Sequence, residues 1–437
     1  MKFYDRETEI EVLRQTQKQS LSTATFTVLM GRRRVGKTAL ILRALEGEEN
    51  AYLFVSKDSE AMLCSKFQTV LEQQLHMQIY GSVTRFRDLF EIIMRESIKR
   101  PFTIILDEFQ NLNKTNPAIF SEIQDIWDRY HTQSHINLIA SGSIMALMKH
   151  IFEDKNEPLY GRPTSKFTLR PFSLAVLKQI FADHCPAYTN EDLLCLYMIT
   201  GGVAKYVELL MDSGCYTKEK MFNYVCRLDS YFLTEGRDII NTEFGSDYNT
   251  YYSILQLIAN GSNRRTDIDG ALQKDCGSFL ANLEKNFGMI VRLRPVLSSA
   301  QSKISAYEIA DPFLRFWFKF ICPYQSLIES GQLKLLRANM NTQYERFSGK
   351  TLERYFQMLF METGEFTVVG NWWDRKGGNE IDVLAINEFT HQGVIAEVKR
   401  NEQKINLHAL AEKAKALPPA QFGRYQFHLH GYSLKDM

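Results

Sequence analysis

The sequence has little that would tie it to a membrane, a metal cage or an oxidising compartment. No apolar run approaches the ~20 residues that a spanning helix needs, so no membrane segment is expected. The opening MKFYDRETEIEVL carries too much charge for a signal peptide, and a cytoplasmic protein is expected. The seven cysteines, at 64, 185, 195, 215, 226, 276 and 322, are odd in number and scattered, with no CxxC pair. That argues against a disulfide framework and against a zinc site. The nine histidines include one H-x3-H spacing, His131 and His135, but no HExxH and no CxxC pair to complete a zinc site, and no GxSxG marks a hydrolase elbow. His428 and His430, alternating along YQFHLHGY, read as exposed strand residues. Neither sign of charge dominates: 52 basic against 51 acidic residues leave +1. A polycation that holds nucleic acid by bulk charge is thereby excluded, while a local groove stays open. Low-complexity segments and internal repeats are also missing.

What is present is an ordinary globular composition, 45% apolar and 24% charged over 437 residues, enough for about three domains. Up to about residue 170 the β-rich runs TFTVLM (25–30), AYLFVS (51–56), FTIILD (102–107) and INLIAS (136–141) alternate with helical stretches. Short apolar runs separated by helices predict a parallel α/β sheet. Residues 171–245 read as helical, broken at Gly201-Gly202. Residues 246–310 read as three short helices and a β-hairpin, the pattern of a winged helix. An aromatic helical connector (311–345) carries Phe313, Phe316, Trp317 and Phe320 at helical spacing, a buried face rather than a base-stacking platform. Residues 346–437 form a second α/β unit: a helix, the strands EIDVLAI and GVIAEVKR, and a further helix.

Gly31-Arg32-Arg33-Arg34-Val35-Gly36-Lys37-Thr38 fits G-x-x-x-x-G-K-[ST]. It follows the strand 25–30 and, with Ala39, opens the helix TALILRALEG. In that setting the backbone N–H groups wrap phosphates at a helix N-terminus, Lys37 reaches the β- and γ-phosphates, and the Thr38 hydroxyl ligates Mg²⁺. The three arginines face either phosphate or solvent. The strand Thr103–Leu106 ends in Asp107-Glu108, which supplies what such a loop lacks: a carboxylate to hold Mg²⁺ and another to polarise the attacking water. The next strand ends in Ser141-Gly142-Ser143. There the Ser141 hydroxyl would sense the γ-phosphate, or the segment is an ordinary Ser/Gly turn. Arg162, in Leu159-Tyr160-Gly161-Arg162, is either an arginine finger, in cis or from a neighbour, or a surface charge.

FYDRETEIEVL, the G-x4-GKT loop, ILDEFQ, the SGS strand end, LYGR and TGGVAKY together resemble archaeal-type ATPases of the AAA superfamily, close to the signal-transduction STAND NTPases. The resemblance covers about residues 1–320. It implies ATP and Mg²⁺ as ligands, a place near the adenine for Phe3, Arg6 and Glu7, and a small helical lid carrying Gly201-Gly202. Lys205 falls near the sensor 2 position, where arginine is commoner.

Glu353, Asp382, Glu397 and Lys399 make a second constellation. Period-2 alternation puts Glu397 and Lys399 on one strand face, with Val394, Ala396 and Val398 on the other. Asp382 and Glu397 could share one Mg²⁺, Glu353 could add a ligand from the preceding helix, and Lys399 could orient water. The order resembles the D…E-x-K pattern of restriction-endonuclease-like folds, often preceded by an aromatic-aspartate stretch like Trp372-Trp373-Asp374. The resemblance implies metal-dependent phosphodiester cleavage, or a fold kept only for binding. Three readings follow: an ATPase switch controlling a DNA-binding or DNA-cleaving domain, a STAND-like regulatory scaffold with a protein partner, and a ring-forming homo-oligomeric motor.

Overall fold

The computed structural model describes residues 1–244, 247–299, 305–374 and 378–437. The expected boundary at 245/246 and the residue that begins ISAYEIA, Ile304, lie outside the described residues. Two compact units emerge: Tyr4–Pro171, and Met1–Phe3 with Phe172–Met437.

In the first unit, strands β1 (Thr25–Met30), β2 (Asn50–Phe54), β3 (Phe102–Asp107), β4 (Ile136–Gly142) and β5 (Ser165–Thr168) form one sheet in the order β2-β3-β4-β1-β5. Every pairing in it is parallel. β1, β3 and β4 are buried at every position, which is why they read as unbroken apolar runs rather than alternating ones. Alternate residues serve opposite cores. Phe26, Val28, Ile104, Leu106 and Leu138 pack with the helices Glu60–Gln74, Phe86–Lys99 and Ile119–Tyr130. Leu29, Ile105 and Ile139 pack with Leu13 of Glu7–Ser20 and with Leu40 and Ile41 of Lys37–Ala44. The carboxyl ends of β1 and β3 flank that of β4, so the Gly31–Thr38 loop and Asp107 come out at the same edge.

The second unit begins with the helices Leu174–His184, Asn190–Thr200, Ala204–Asp212, Lys218–Val225 and Phe232–Phe244. Asn190–Thr200 starts with a capping box between Thr189 and Asp192. Three shorter helices follow, Tyr248–Ala259, Arg265–Leu272 and Gly277–Lys285, and then an antiparallel pair, β6 (Ile290–Leu293) and β7 (Ala306–Ile309). Asp311 caps the helix Pro312–Phe320 by accepting from Leu314 N at 3.1 Å. Phe313, Phe316, Trp317 and Phe320 are all fully buried there, and a Cβ added to Gly236 would stand 2.1 Å from the Trp317 ring. The unit ends in a four-stranded mixed sheet of β8 (Val368–Trp373), β9 (Glu380–Ile386), β10 (Gln392–Val398) and β11 (Gln426–Tyr432), in the order β11-β10-β9-β8. β10 runs antiparallel to β9 and parallel to β11. A 30-residue helix, Leu333–Glu362, packs against this sheet. It runs unbroken through 345/346, where the sequence pattern suggests a division.

Candidate nucleotide site and carboxyl-terminal cluster

The loop after β1 is shaped by two glycines. A Cβ on Gly31 would lie 2.8 Å from the Leu169 carbonyl oxygen, and Gly36 adopts φ 102°, a conformation L side chains rarely take. Arg34 shares the left-handed backbone at φ 71°. The Lys37 ammonium folds back on the loop, donating to the carbonyls of Gly31 at 2.8 Å and Arg32 at 3.2 Å. Val35 is buried in the core, whereas Arg33 and Ala39 are exposed.

Thr38 Oγ1 donates to Asp107 Oδ2 at 3.1 Å, so the two groups expected to hold Mg²⁺ meet. The Tyr52 hydroxyl donates to the same oxygen, and the Glu108 N–H donates to Asp107 Oδ1 at 3.0 Å. Burial, then the adjoining Asp107, push the Tyr52 phenol well above its ordinary value, so it remains a donor. Glu108 has left-handed backbone (φ 56°, ψ 42°), the kind of local strain that collects at functional sites. Its Oε2 accepts from Gln110 Nε2 at 2.5 Å and from Ser143 Oγ at 2.7 Å. Ser141 stands in register with Asp107, and its buried hydroxyl has no hydrogen-bond partner. A hard cation with its waters fits this donor set: one carboxylate, one hydroxyl, and an orphaned second hydroxyl beside them.

Arg162 requires a correction. Two residues further along the chain, Thr164 N donates to Phe26 O at the amino end of β1, while the phosphate loop leaves the carboxyl end. About 16 Å of strand separates the two edges, counting five residues at ~3.3 Å each. The Arg162 guanidinium instead pairs with Asp128 at 3.0 Å and donates to the Tyr160 carbonyl at 2.9 Å. It is not an arginine finger for its own chain. Among the family-implied positions, buried Arg6 donates to Arg170 O at 2.7 Å and pairs with Glu9, and Lys205 pairs with Glu208.

At the carboxyl end, Asp382 Oδ2 accepts from Val398 N at 2.9 Å and from Lys399 Nζ at 3.1 Å. Lys399 also lies 3.5 Å from Glu397 Oε1, so the ammonium bridges the two carboxylates. Glu397 is held further by Lys413 at 3.6 Å and by Asn406 N at 2.9 Å. Glu353 pairs with Lys350 at 2.6 Å. Burial raises its carboxyl to about 7, against the lowering effect of Lys350, with Asp382 adding to the rise. The four expected residues are therefore neighbours, but the expected three-carboxylate metal set of Glu353, Asp382 and Glu397 is not formed. Among the described residues no group of three His, Cys, Asp or Glu side chains is placed to hold a metal. Lysines occupy that role instead.

Residues 3–210 match the family model described as an ATPase domain predominantly from Archaea. The amino-terminal part of the chain is thus similar to ATPase domains of that family. Residues 317–412 match a second family, described as archaeal and bacterial proteins of unknown function. An uncharacterized protein of Methanocaldococcus jannaschii is 29% identical over 417 residues, covering 92% of this chain and 88% of its own. The Walker-type ATPase of Pyrococcus abyssi shares the fold at 19% identity and a TM-score of 0.53, over 72% of this chain and 96% of its own.

Sequence reasoning missed three contacts of the ATPase domain: Tyr52, Gln110 and Ser143. Each carried a weak signal. Tyr52 is the polar-tipped residue between buried Ala51 and Leu53 on β2, and Gln110 and Ser143 lie two residues beyond Glu108 and Ser141.

Proposed function

We propose that the protein is an ATP-driven switch in which Thr38 and Asp107 hold the Mg²⁺ of bound ATP and Glu108 polarises the attacking water. The observation that carries this reading is the Thr38–Asp107 contact of 3.1 Å, made at the shared carboxyl edge of β1 and β3 with Glu108 next in the chain. Mg²⁺ supplies charge neutralisation on the β- and γ-phosphate oxygens. Lys37, which donates to two loop carbonyls, would exchange those acceptors for phosphate oxygens. The loop N–H groups and the start of the helix Lys37–Ala44 would take the remaining phosphate charge. Glu108 must leave or share its Ser143 and Gln110 donors to accept a proton from water, so these two side chains hold the base at rest. Ser141, unpartnered beside Asp107, is positioned to bond the γ-phosphate or a metal-bound water. Purified protein should hydrolyse ATP with Mg²⁺, and Lys37→Ala should bind ATP up to about a hundredfold more weakly as charge-assisted bonds are lost. Equal ATP affinity in the variant would refute the loop assignment.

For the carboxyl-terminal unit, we propose a phosphodiester-binding domain of restriction-endonuclease-like build, coupled to the ATPase through the helices and β6–β7 hairpin between them, which we read as a lid and a winged helix. The mixed sheet with Asp382, Glu397 and Lys399 on neighbouring strands supports that reading. A binding role is favoured over cleavage because Lys399 bridges the carboxylates. Incubation with Mg²⁺ or Mn²⁺ and duplex, branched and single-stranded DNA is the test. Binding without cleavage fits this reading, cleavage restores an active nuclease, and neither favours the STAND-like scaffold with a protein partner.

A further inference from the structure

Away from the nucleotide loop, a cavity of about 200 Å³ opens between the helix Tyr248–Ala259, β7, the helix Pro312–Phe320 and the helix Leu333–Glu362. Three cations line it: Arg315, Lys350 and Arg354. Among the described residues Glu308 is the sole acidic one of the lining, and Arg354 pairs with it. Lys350 is shared between Glu353 at 2.6 Å and Glu380 at 3.5 Å. Arg315 has no such partner. Among the described residues no carboxylate pairs with it, and its Nε is buried without a hydrogen bond, as is the Nε of Arg354. Burial pushes the Arg315 guanidinium down to about 10, opposed only by the nearby Tyr197 phenol. It stays charged at neutral pH.

A half-buried guanidinium with no carboxylate partner among the described residues is costly, because desolvation disfavours the ion. A fold retains such a group readily when a ligand supplies the missing charge. The planar fork of arginine matches oxyanions of phosphate type, and Asn263 and Tyr307 in the lining add polar neighbours. The space falls below the ~300 Å³ at which drug-sized ligand pockets begin, so it suits a phosphate with part of its ester. We propose that this cavity is a phosphate-binding site, with Arg315 as its central ligand and Lys350 and Arg354 at its wall. It is separate from the nucleotide loop, borders the Asp382 cluster through the Lys350–Glu353 pair, and does not depend on the role proposed for either.

The test uses the full chain carrying Lys37→Ala, so that the nucleotide loop contributes little, and titrates inorganic phosphate against chloride at constant ionic strength. Phosphate should raise the melting temperature, and adding Arg315→Met should remove most of that rise. In chloride, Arg315→Met should melt no lower than its parent, because a half-buried ion without a carboxylate partner has been replaced by an apolar chain of similar length. A phosphate-dependent rise that is absent, or unchanged by Arg315→Met, overturns the proposal. Should Arg315→Met fail to fold, Lys350→Gln decides: phosphate binding about tenfold weaker by calorimetry supports the site, and unchanged binding overturns it. Methyl phosphate and dimethyl phosphate separate the sources. Preference for the first assigns a phosphomonoester and for the second a phosphodiester backbone, while binding of neither overturns the site.

Discussion

The nucleotide loop and the carboxyl-terminal carboxylates both consist of acidic groups beside a lysine, yet they are balanced in opposite ways. In the ATPase domain Lys37 bonds backbone carbonyls, and the donors to Asp107 among the described residues are neutral, from Thr38, Tyr52 and the Glu108 N–H. Its negative charge is left for something that arrives. At the other end, Lys399 bridges Asp382 and Glu397, Lys413 approaches Glu397, and Lys350 pairs with Glu353. That charge is already answered from within. Carboxylates whose charge is already answered by lysine attract a cation less strongly, so likeness in residue type does not make two equal metal sites.

The sharpest break between the regions should come from Glu108→Gln. It keeps the shape and hydrogen-bonding reach of the side chain, so ATP binding should persist while turnover falls about 10²–10⁴-fold, the usual weight of a general base. Turnover at the wild-type rate, measured by phosphate release, would remove Glu108 from the mechanism.

Glu353 gives the carboxyl-terminal cluster a pH signature of its own. Its folded value of about 7, above the ordinary 4.5, means that the native state favours the protonated carboxyl. Stability from this group is complete below pH 4.5 and is lost as pH rises toward 7. The loss is at most about 3 kcal/mol, at 1.36 kcal/mol per unit. Urea unfolding across that range should show a falling trend that Glu353→Gln flattens, and an unchanged slope would show that the carboxyl titrates normally.

Asp382→Ala should cost about 1–3 kcal/mol, since it leaves the Val398 N–H without its acceptor and Lys399 with Glu397 alone. Addition of Mg²⁺ should not shift the wild-type midpoint of this unit. A shift abolished by Asp382→Ala would mean that the lysine yields to metal after all. The smallest effect is expected from Tyr52→Phe. Removing one of three donors to Asp107 should change the Mg²⁺ concentration for half-maximal ATPase by about two- to tenfold, with ATP affinity unmoved.

The two regions also differ in how far the sequence discloses them. The nucleotide loop is eight consecutive residues whose backbone is dictated by Gly31 and Gly36, so local pattern and local structure coincide. β1, β3 and β4 are legible for the same reason, being continuous apolar runs. β5 escaped notice because SKFT is four residues long with no buried position. The choice between arginine finger and surface charge at Arg162 was not legible, because the spacing LYGR gives no hint of which end of the sheet the chain has reached. In the carboxyl-terminal unit, neighbourhood was legible from alternation, but charge balance was not. The pairing of Lys399 with both carboxylates, and of Lys350 with Glu353, depends on how a 30-residue helix settles against β9, and no short window of sequence holds that information.

Lys350 has one further consequence. One face of the helix Leu333–Glu362 offers this ammonium to the Arg315 cavity and to the Glu353 carboxylate at once. An anion seated in the cavity competes for it, and a Glu353 deprived of its counter-ion gains affinity for a proton. Anion capture and proton uptake are then two faces of one coupling, and by reciprocity acidification tightens the cavity's hold on the anion as much as the anion tightens Glu353's hold on its proton.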